Sequence, residues 1–199
     1  VSRPPAPIVP PATLGVLGGG QLGRYFVLAA TVMGYRTLVL DPDPSAPAGQ
    51  LASEHLVHAY DDEAALRRLA FDCDVVTTEF ENPPAAALAR LAELVPVAPS
   101  PEAVAIAQDR IAEKRFLADN GFPIGSYVVL DGDDPPGLEA VTEPTGIVKT
   151  ARLGYDGKGQ RTVQGTAQAV AAWAELGGVP CVVERRLELD TELSVIVGR

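Results

Sequence analysis

The 199 residues suffice for one large domain or two modest ones, and a 47% share of hydrophobic residues against 21% charged is the balance of a globular protein. A net charge of -10 argues against a groove for nucleic acid, which needs a basic field, but leaves room for a nucleotide held by a few local cations. No apolar run approaches the roughly 20 residues of a membrane span, and no basic-then-apolar signal segment opens the chain, so a cytoplasmic protein with no membrane partner is expected.

The first twelve residues, VSRPPAPIVPPA, read as a Pro-rich extended leader. TLGVL (13–17) is a short β run, followed by GGGQLG and a helical apolar period from Leu22 to Met33 that Gly34 stops. TLVLD (37–41), HLVHAY (55–60) and DVVTTEF (74–80) are the next strand candidates. Asp61 or Asp62 can cap the helix DEAALRRLAF, and Pro83 and Pro84 open AAALARLAEL, where a missing N–H costs nothing. Strand–helix alternation with short links predicts an α/β fold with a doubly wound parallel sheet.

VPVAPS (95–100) closes that unit, and Pro101 starts a long helical pattern that runs to Asn120 with Gly121 as its stop. The character then changes: SYVVL, GIVKTA, QRTVQ and PCVVE are short strands interrupted by the helix TAQAVAAWAEL, which predicts a small α+β subdomain with antiparallel pairs. ELSVIVG (192–198) reads as a further strand, and a core-type strand at the very end of the chain suggests a polypeptide cut within a domain. Cys73 and Cys181 lie in apolar contexts and read as reduced core residues. Met33 and Trp173 take helical core positions, Tyr127 reads as packing, Asp131 to Asp134 as a turn, and His55 and His58 as core or rim residues without an acidic partner.

Four segments can carry chemistry. Gly18, Gly20 and Gly23 form G-x-G-x-x-G between strand and helix, where backbone N–H groups can approach an anion, and Asp41 ends the next strand. This pattern leaves open a dinucleotide, a phosphorylated small molecule, or close packing. Glu79 and Glu81 in TTEFEN fall on the same rim of the sheet and, by the two-residue period, on one strand face, either facing an amine or hydroxyl of a ligand or forming a solvated strand end. Lys149 sits in an apolar strand and so needs a partner or a ligand. The loop Gly154, Tyr155, Asp156, Gly157, Lys158, Gly159, Gln160 can fold its N–H groups over phosphates. It is no P-loop, since no Ser or Thr follows the Lys and a strand follows the loop. Beyond it, Glu184 to Leu187 leave a strand as free backbone that can pair with the edge of a purine, and Glu192 can accept ribose hydroxyls.

In order, GVLGGGQLGR (15–24), LDPDPSAPAGQLA (40–52), TEFEN (78–82), QDRIAEKRFL (108–117), IVKTARLGYDGKGQ (147–160) and VVERRLELDTELSVIVGR (182–199) resemble the 5-(carboxyamino)imidazole ribonucleotide synthetases, ATP-grasp ligases of purine synthesis. The resemblance runs from Thr13 to Arg199, and the GYDGKGQ and EFEN segments are its most specific parts. Formate-dependent glycinamide ribonucleotide transformylases share the layout but differ at both places.

The resemblance implies, after the 1–12 leader, a Rossmann-like pre-ATP-grasp domain at 13–100 and a linking helix at 101–121. A small ATP-grasp lid subdomain would follow at 122–187, and the start of a further, truncated domain at 188–199. It implies carboxylation of the exocyclic amine of 5-aminoimidazole ribonucleotide by bicarbonate, activated by ATP as carboxyphosphate. By position it assigns to ATP Arg110, Lys149, Gly154, Tyr155, Asp156, Gly157, Lys158, Gly159, Gln160, Glu184, Arg185, Arg186, Leu187 and Glu192. It assigns to the ribonucleotide Gly20, Gln21, Leu22 and Glu79, joined by Tyr155, Asp156 and Lys158. The Mg²⁺ ligands of the family and its catalytic residues would lie in a half that this chain lacks, so no metal ligand and no turnover is expected of these 199 residues alone, and the full-length protein is expected to be a homodimer. Two other readings compete: an NAD(P)-binding domain, which gives 147–160 no task, and a non-catalytic binding module derived from a ligase.

Overall fold

A computed structural model describes residues 6–132, 135–154 and 158–196. The chain divides into two compact units at Gln108/Asp109. No helix of the described residues is long and apolar enough to cross a membrane.

The first unit runs β1 (Thr13–Leu17), α1 (Gln21–Val32), β2 (Arg36–Leu40), β3 (Glu54–Leu56), α2 (Glu63–Asp72), β4 (Val75–Thr78), α3 (Ala85–Ala92) and α4 (Pro101–Ala107). Its sheet has the order β3-β2-β1-β4, and every pair is parallel. The strands bury side chains on both faces, as a parallel sheet wrapped by helices requires. Leu17, Leu38 and Leu40 pack with Leu66, Leu69, Leu88 and Leu91 of α2 and α3. Val16 and Val39 pack with Val27 of α1 and Ala48 on the other side. The doubly wound expectation therefore holds. Asp62 caps α2 by accepting the Ala65 N–H at 2.9 Å.

The second unit runs α5 (Arg110–Asp119), β5 (Tyr127–Leu130), α6 (Leu138–Thr142), β6 (Gly146–Thr150), β7 (Gln160–Val163), α7 (Thr166–Glu175) and β8 (Cys181–Arg185). Its sheet is antiparallel with the order β5-β8-β6-β7. Leu130, Val148, Val163, Cys181 and Val183 pack on Leu138 and Val141 of α6 and Ala169 and Ala172 of α7. That core covers one face of the sheet and leaves the other for function.

Several expectations are corrected. The helical run from Pro101 to Asn120 is two helices, because the Asp109 side chain turns inward and accepts the Ile111 and Ala112 N–H groups at 3.0 and 3.2 Å, starting a new helix. The strand expected at 55–60 is only Glu54–Leu56. Met33 is the exposed C-cap of α1, not a core residue. His58 is exposed and has an acid beside it, 3.7 Å from Asp62. The helix α6 has no counterpart in the expected elements. Glu192 to Ile196 form no strand, and Leu193, Val195 and Ile196 are exposed; a strand needs a neighbour for its N–H and C=O groups, and no described strand lies beside them. Asp133 and Asp134 of the expected turn, and residues 197–198 of that strand, lie outside the described residues.

Candidate functional site

In the first unit the register aligns Leu17 with both Leu40 and Thr78, so Gly18, Asp41 and Glu79 emerge together at the C-terminal rim of the sheet. That rim is where parallel α/β sheets hold ligands. The glycine-loop amides, however, already have carboxylate partners. Asp41, which is buried, accepts the Gly19 N–H at 2.7 Å and the Tyr60 hydroxyl at 2.7 Å. Glu79 accepts from Gly20 at 3.0 Å and from Gly23 at 3.1 Å, capping α1 with its own charge. Burial, followed by the hydrogen bond to Asp41, pushes the Tyr60 hydroxyl well above its ordinary value. A Cβ on Gly18 would stand 2.5 Å from Glu79 Cγ, and one on Gly20 would stand 2.8 Å from Glu79 Oε1. These glycines therefore exist to let Glu79 close on the loop. Gln21 and Leu22 are exposed on the first turn of α1, beside that carboxylate.

The structure thus brings Gly20, Gln21, Leu22 and Glu79 to one place. Glu79 and Glu81 do not share a strand face, because β4 ends at Thr78. Glu81 is exposed, and its carbonyl accepts from the Gln108 side chain. A dinucleotide would need the loop amides for its pyrophosphate and Asp41 for its ribose, and both are committed elsewhere.

In the second unit the open face of the sheet carries Tyr127, Glu184, Ile147 and Lys149, the first three in one row of cross-strand partners. Lys149 Nζ lies 3.2 Å from Glu184 Oε2, and Lys114 Nζ of α5 lies 3.4 Å from Glu184 Oε1. A cavity of about 830 Å³ opens beside them, lined among others by Ile147, Thr145, Arg185, Arg186 and Leu187. This is the size of a small-molecule site. Lys114, Lys149, Arg185 and Arg186 place four of the chain's 16 basic residues there, against Glu184 and Glu188, in a molecule of net charge -10. The cavity is a local basic field inside an acidic protein.

The glycine loop joins β6 to β7. Gln160 pairs with Lys149 across the hairpin, and Thr150 donates its N–H to Gly159 O at 2.9 Å, so both roots of the loop lie next to Lys149. Gly159 has φ +71, and a Cβ there would strike Thr150 Oγ1 at 2.6 Å. Lys158 is exposed; Tyr155, Asp156 and Gly157 lie outside the described residues.

Arg110 does not line the cavity. Its guanidinium donates to the carbonyl oxygens of Thr150 and Gly154 at 2.8 and 2.9 Å, anchoring the loop root. Glu192 is exposed and outside the cavity lining. Lys114 was not among the expected site residues. Its position four residues after Arg110, on the same face of α5, was the available signal. Among the described residues no three or more His, Cys, Asp or Glu side chains stand together in a way that could hold a metal ion.

The model of the ribonucleotide synthetase preATP-grasp domain matches residues 11–108, and that of the ATP-grasp domain matches residues 115–199. The chain belongs to the ATP-grasp ribonucleotide synthetases. Within that class it is similar to N5-carboxyaminoimidazole ribonucleotide synthase of Brucella melitensis, with 42% identity over 194 residues, covering 96% of this chain and 53% of that protein. A crystal structure of N5-carboxyaminoimidazole synthetase from Staphylococcus aureus complexed with ADP matches with TM-score 0.82 and 34% identity, covering 92% of this chain and 49% of that one. The Aspergillus clavatus enzyme in complex with ADP and 5-aminoimidazole ribonucleotide matches with TM-score 0.77 and 29% identity, over 90% and 47% of the two chains. The chain spans about half the length of the curated relatives it matches.

Proposed function

We propose that the chain supplies the nucleotide-binding and part of the ribonucleotide-binding apparatus of an enzyme that carboxylates 5-aminoimidazole ribonucleotide at the expense of ATP. The single observation that carries this reading is the basic cavity beside Lys149 and Glu184, rooted against a glycine hairpin. The names of the relatives, and the ADP and aminoimidazole ribonucleotide in their complexes, support it.

In this reading ATP transfers its γ-phosphoryl group to a bicarbonate oxygen and ADP departs. The exocyclic amine of the ribonucleotide attacks the carbon of the resulting carboxyphosphate, or of the carbon dioxide it releases. The C–O bond to phosphate breaks and the amine gives up a proton. Lys149 meets the polyphosphate, the segment from Glu184 to Leu187, which runs out of the end of β8, lines the base, and the loop 154–160 covers the phosphates. Glu192 is assigned to the ribose. Arg110 serves the nucleotide through the loop it anchors. In the first unit Gly20, Gln21, Leu22 and Glu79 hold the ribonucleotide. Closing such a site to water protects a short-lived acyl phosphate. The described residues do not fit a Mg²⁺ site, so the metal that screens the phosphates in this reaction is assigned to ligands outside this chain. The setting is cytoplasmic and the full-length assembly a homodimer, both resting on the family resemblance.

The test is calorimetric titration of the chain with ATP. Wild type binds, and Lys149→Ala binds at least about tenfold more weakly. An affinity that Lys149→Ala leaves unchanged removes the cavity from nucleotide recognition.

A further inference from the structure

We infer that Lys114 is a positioning residue that fixes the Glu184 carboxylate toward the bound base and thereby sets a preference for adenine over guanine nucleotides. This rests on the nucleotide reading of the cavity.

Lys114 is held from two sides. Its ammonium lies 3.4 Å from Glu184 Oε1 and 5.9 Å from the centroid of the Tyr127 ring. Tyr127 is itself the cross-strand partner of Glu184. The side chain is only 15% exposed, so its stem is packed and its head has a defined place between a carboxylate and an aromatic face. Glu184, at 17% exposure, is engaged at both oxygens by different lysines from different elements.

The two lysines cannot have the same fate when a nucleotide enters. A polyphosphate carries several negative charges against the single charge of Glu184, so it draws Lys149, the lysine beside the loop root, away from the carboxylate. Lys114 comes from α5 and keeps its pairing. It is the cation that prevents Glu184 from being left as a largely buried, unpaired carboxylate at that moment. A carboxylate pinned through Oε1 presents its other oxygen as an acceptor only. It receives the exocyclic amine of adenine and repels the carbonyl that guanine carries at the same position. Without Lys114, Glu184 and Lys149 become an exclusive pair that the phosphates must break.

The experiment is calorimetric binding of ATP and of GTP to the wild-type chain and to Lys114→Met, Lys114→Gln and Lys114→Arg, each checked for an unchanged thermal transition. Wild type favours ATP by at least about tenfold. Lys114→Met and Lys114→Gln lose about tenfold in ATP affinity and most of the ATP-to-GTP ratio, and Lys114→Arg restores the ratio. Retention of the wild-type ratio in either folded neutral variant overturns the inference. A wild-type chain that binds neither nucleotide overturns the nucleotide reading itself, and the inference with it.

Discussion

Arg110 and Gly154, 44 positions apart, are joined by a guanidinium-to-carbonyl hydrogen bond of 2.9 Å, and a Cβ on Gly154 would stand 2.9 Å from the same guanidinium. The second arm of the fork reaches Thr150 O, and the backbone N–H of Arg110 donates to Ala151 O. A planar, two-armed donor suits this task and an ammonium does not. Arg110→Met is expected to cost about 2 kcal/mol of stability in the second unit, the scale of hydrogen bonds to a charged group. Arg110→Lys is expected to recover little of it. The sensitive readout is trypsin, because Arg152 and Lys158 lie within the loop and are exposed. Faster cleavage at those two positions in both variants is expected, and cleavage at the wild-type rate would show that the fork does not secure the loop.

The glycine fingerprint predicts a negative result. Gly19, Gly20 and Gly23 give their N–H groups to Asp41 and Glu79, so no pyrophosphate can take them without expelling a carboxylate from a helix N-terminus. NADH added to the chain is expected to show no fluorescence enhancement at concentrations where ATP binds. Saturable NADH binding that ATP does not displace would reverse the assignment.

Gly18 has φ +100, and its α-hydrogens face Glu79 Cγ and Phe80 Cδ1, which a Cβ would meet at 2.5 and 2.6 Å. Gly18→Ala therefore combines a left-handed backbone penalty with overpacking, together about 3 kcal/mol. Urea denaturation followed by far-UV circular dichroism measures it. Gly132, also at positive φ, has nothing within 4 Å of a Cβ, and Gly132→Ala is expected to pay the backbone term alone.

The sequence makes the local features legible. Short, nearly continuous apolar runs mark β1, β2 and β4, the helical period marks α1 and α2, and the parallel reading puts Gly18, Asp41 and Glu79 on one rim. What escaped depends on side chains meeting across space. An unbroken helical pattern hides the start of α5, because Asp109 serves as well inside a helix as at its cap until its carboxylate turns inward. Lys149 reads as a cation in need of a ligand, and its protein partner Glu184 is 35 residues away, set by the β6–β8 register. The same register puts Glu184 beside Tyr127, within reach of Lys114, and no spacing along the chain encodes that meeting. Asp41 reads as part of a dinucleotide pattern by its place after β2, whereas Gly19 and Tyr60 both donate to its Oδ2 and the Asp43 N–H takes its Oδ1.

The two thiols carry the last prediction. Burial, reinforced by the charges of Asp72, Asp74 and Glu54, pushes Cys73 up to about 12, and burial alone pushes Cys181 up to about 11, from an ordinary value of 9.0. Both are free and buried. The folded protein therefore keeps protons that the unfolded chain surrenders from pH 9 upward, so the stabilising contribution is complete below pH 9 and is lost as pH rises through about 11 to 12. At pH 8 neither thiol presents an appreciable thiolate fraction, and iodoacetamide is expected to leave both unmodified in the native protein and to alkylate both in urea. Mass spectrometry after timed quenching reads the result. Native labelling of Cys73 as fast as in urea would mean that the sheet–helix packing around it opens far more often than a residue touching Leu69 and Val76 in a closed core allows.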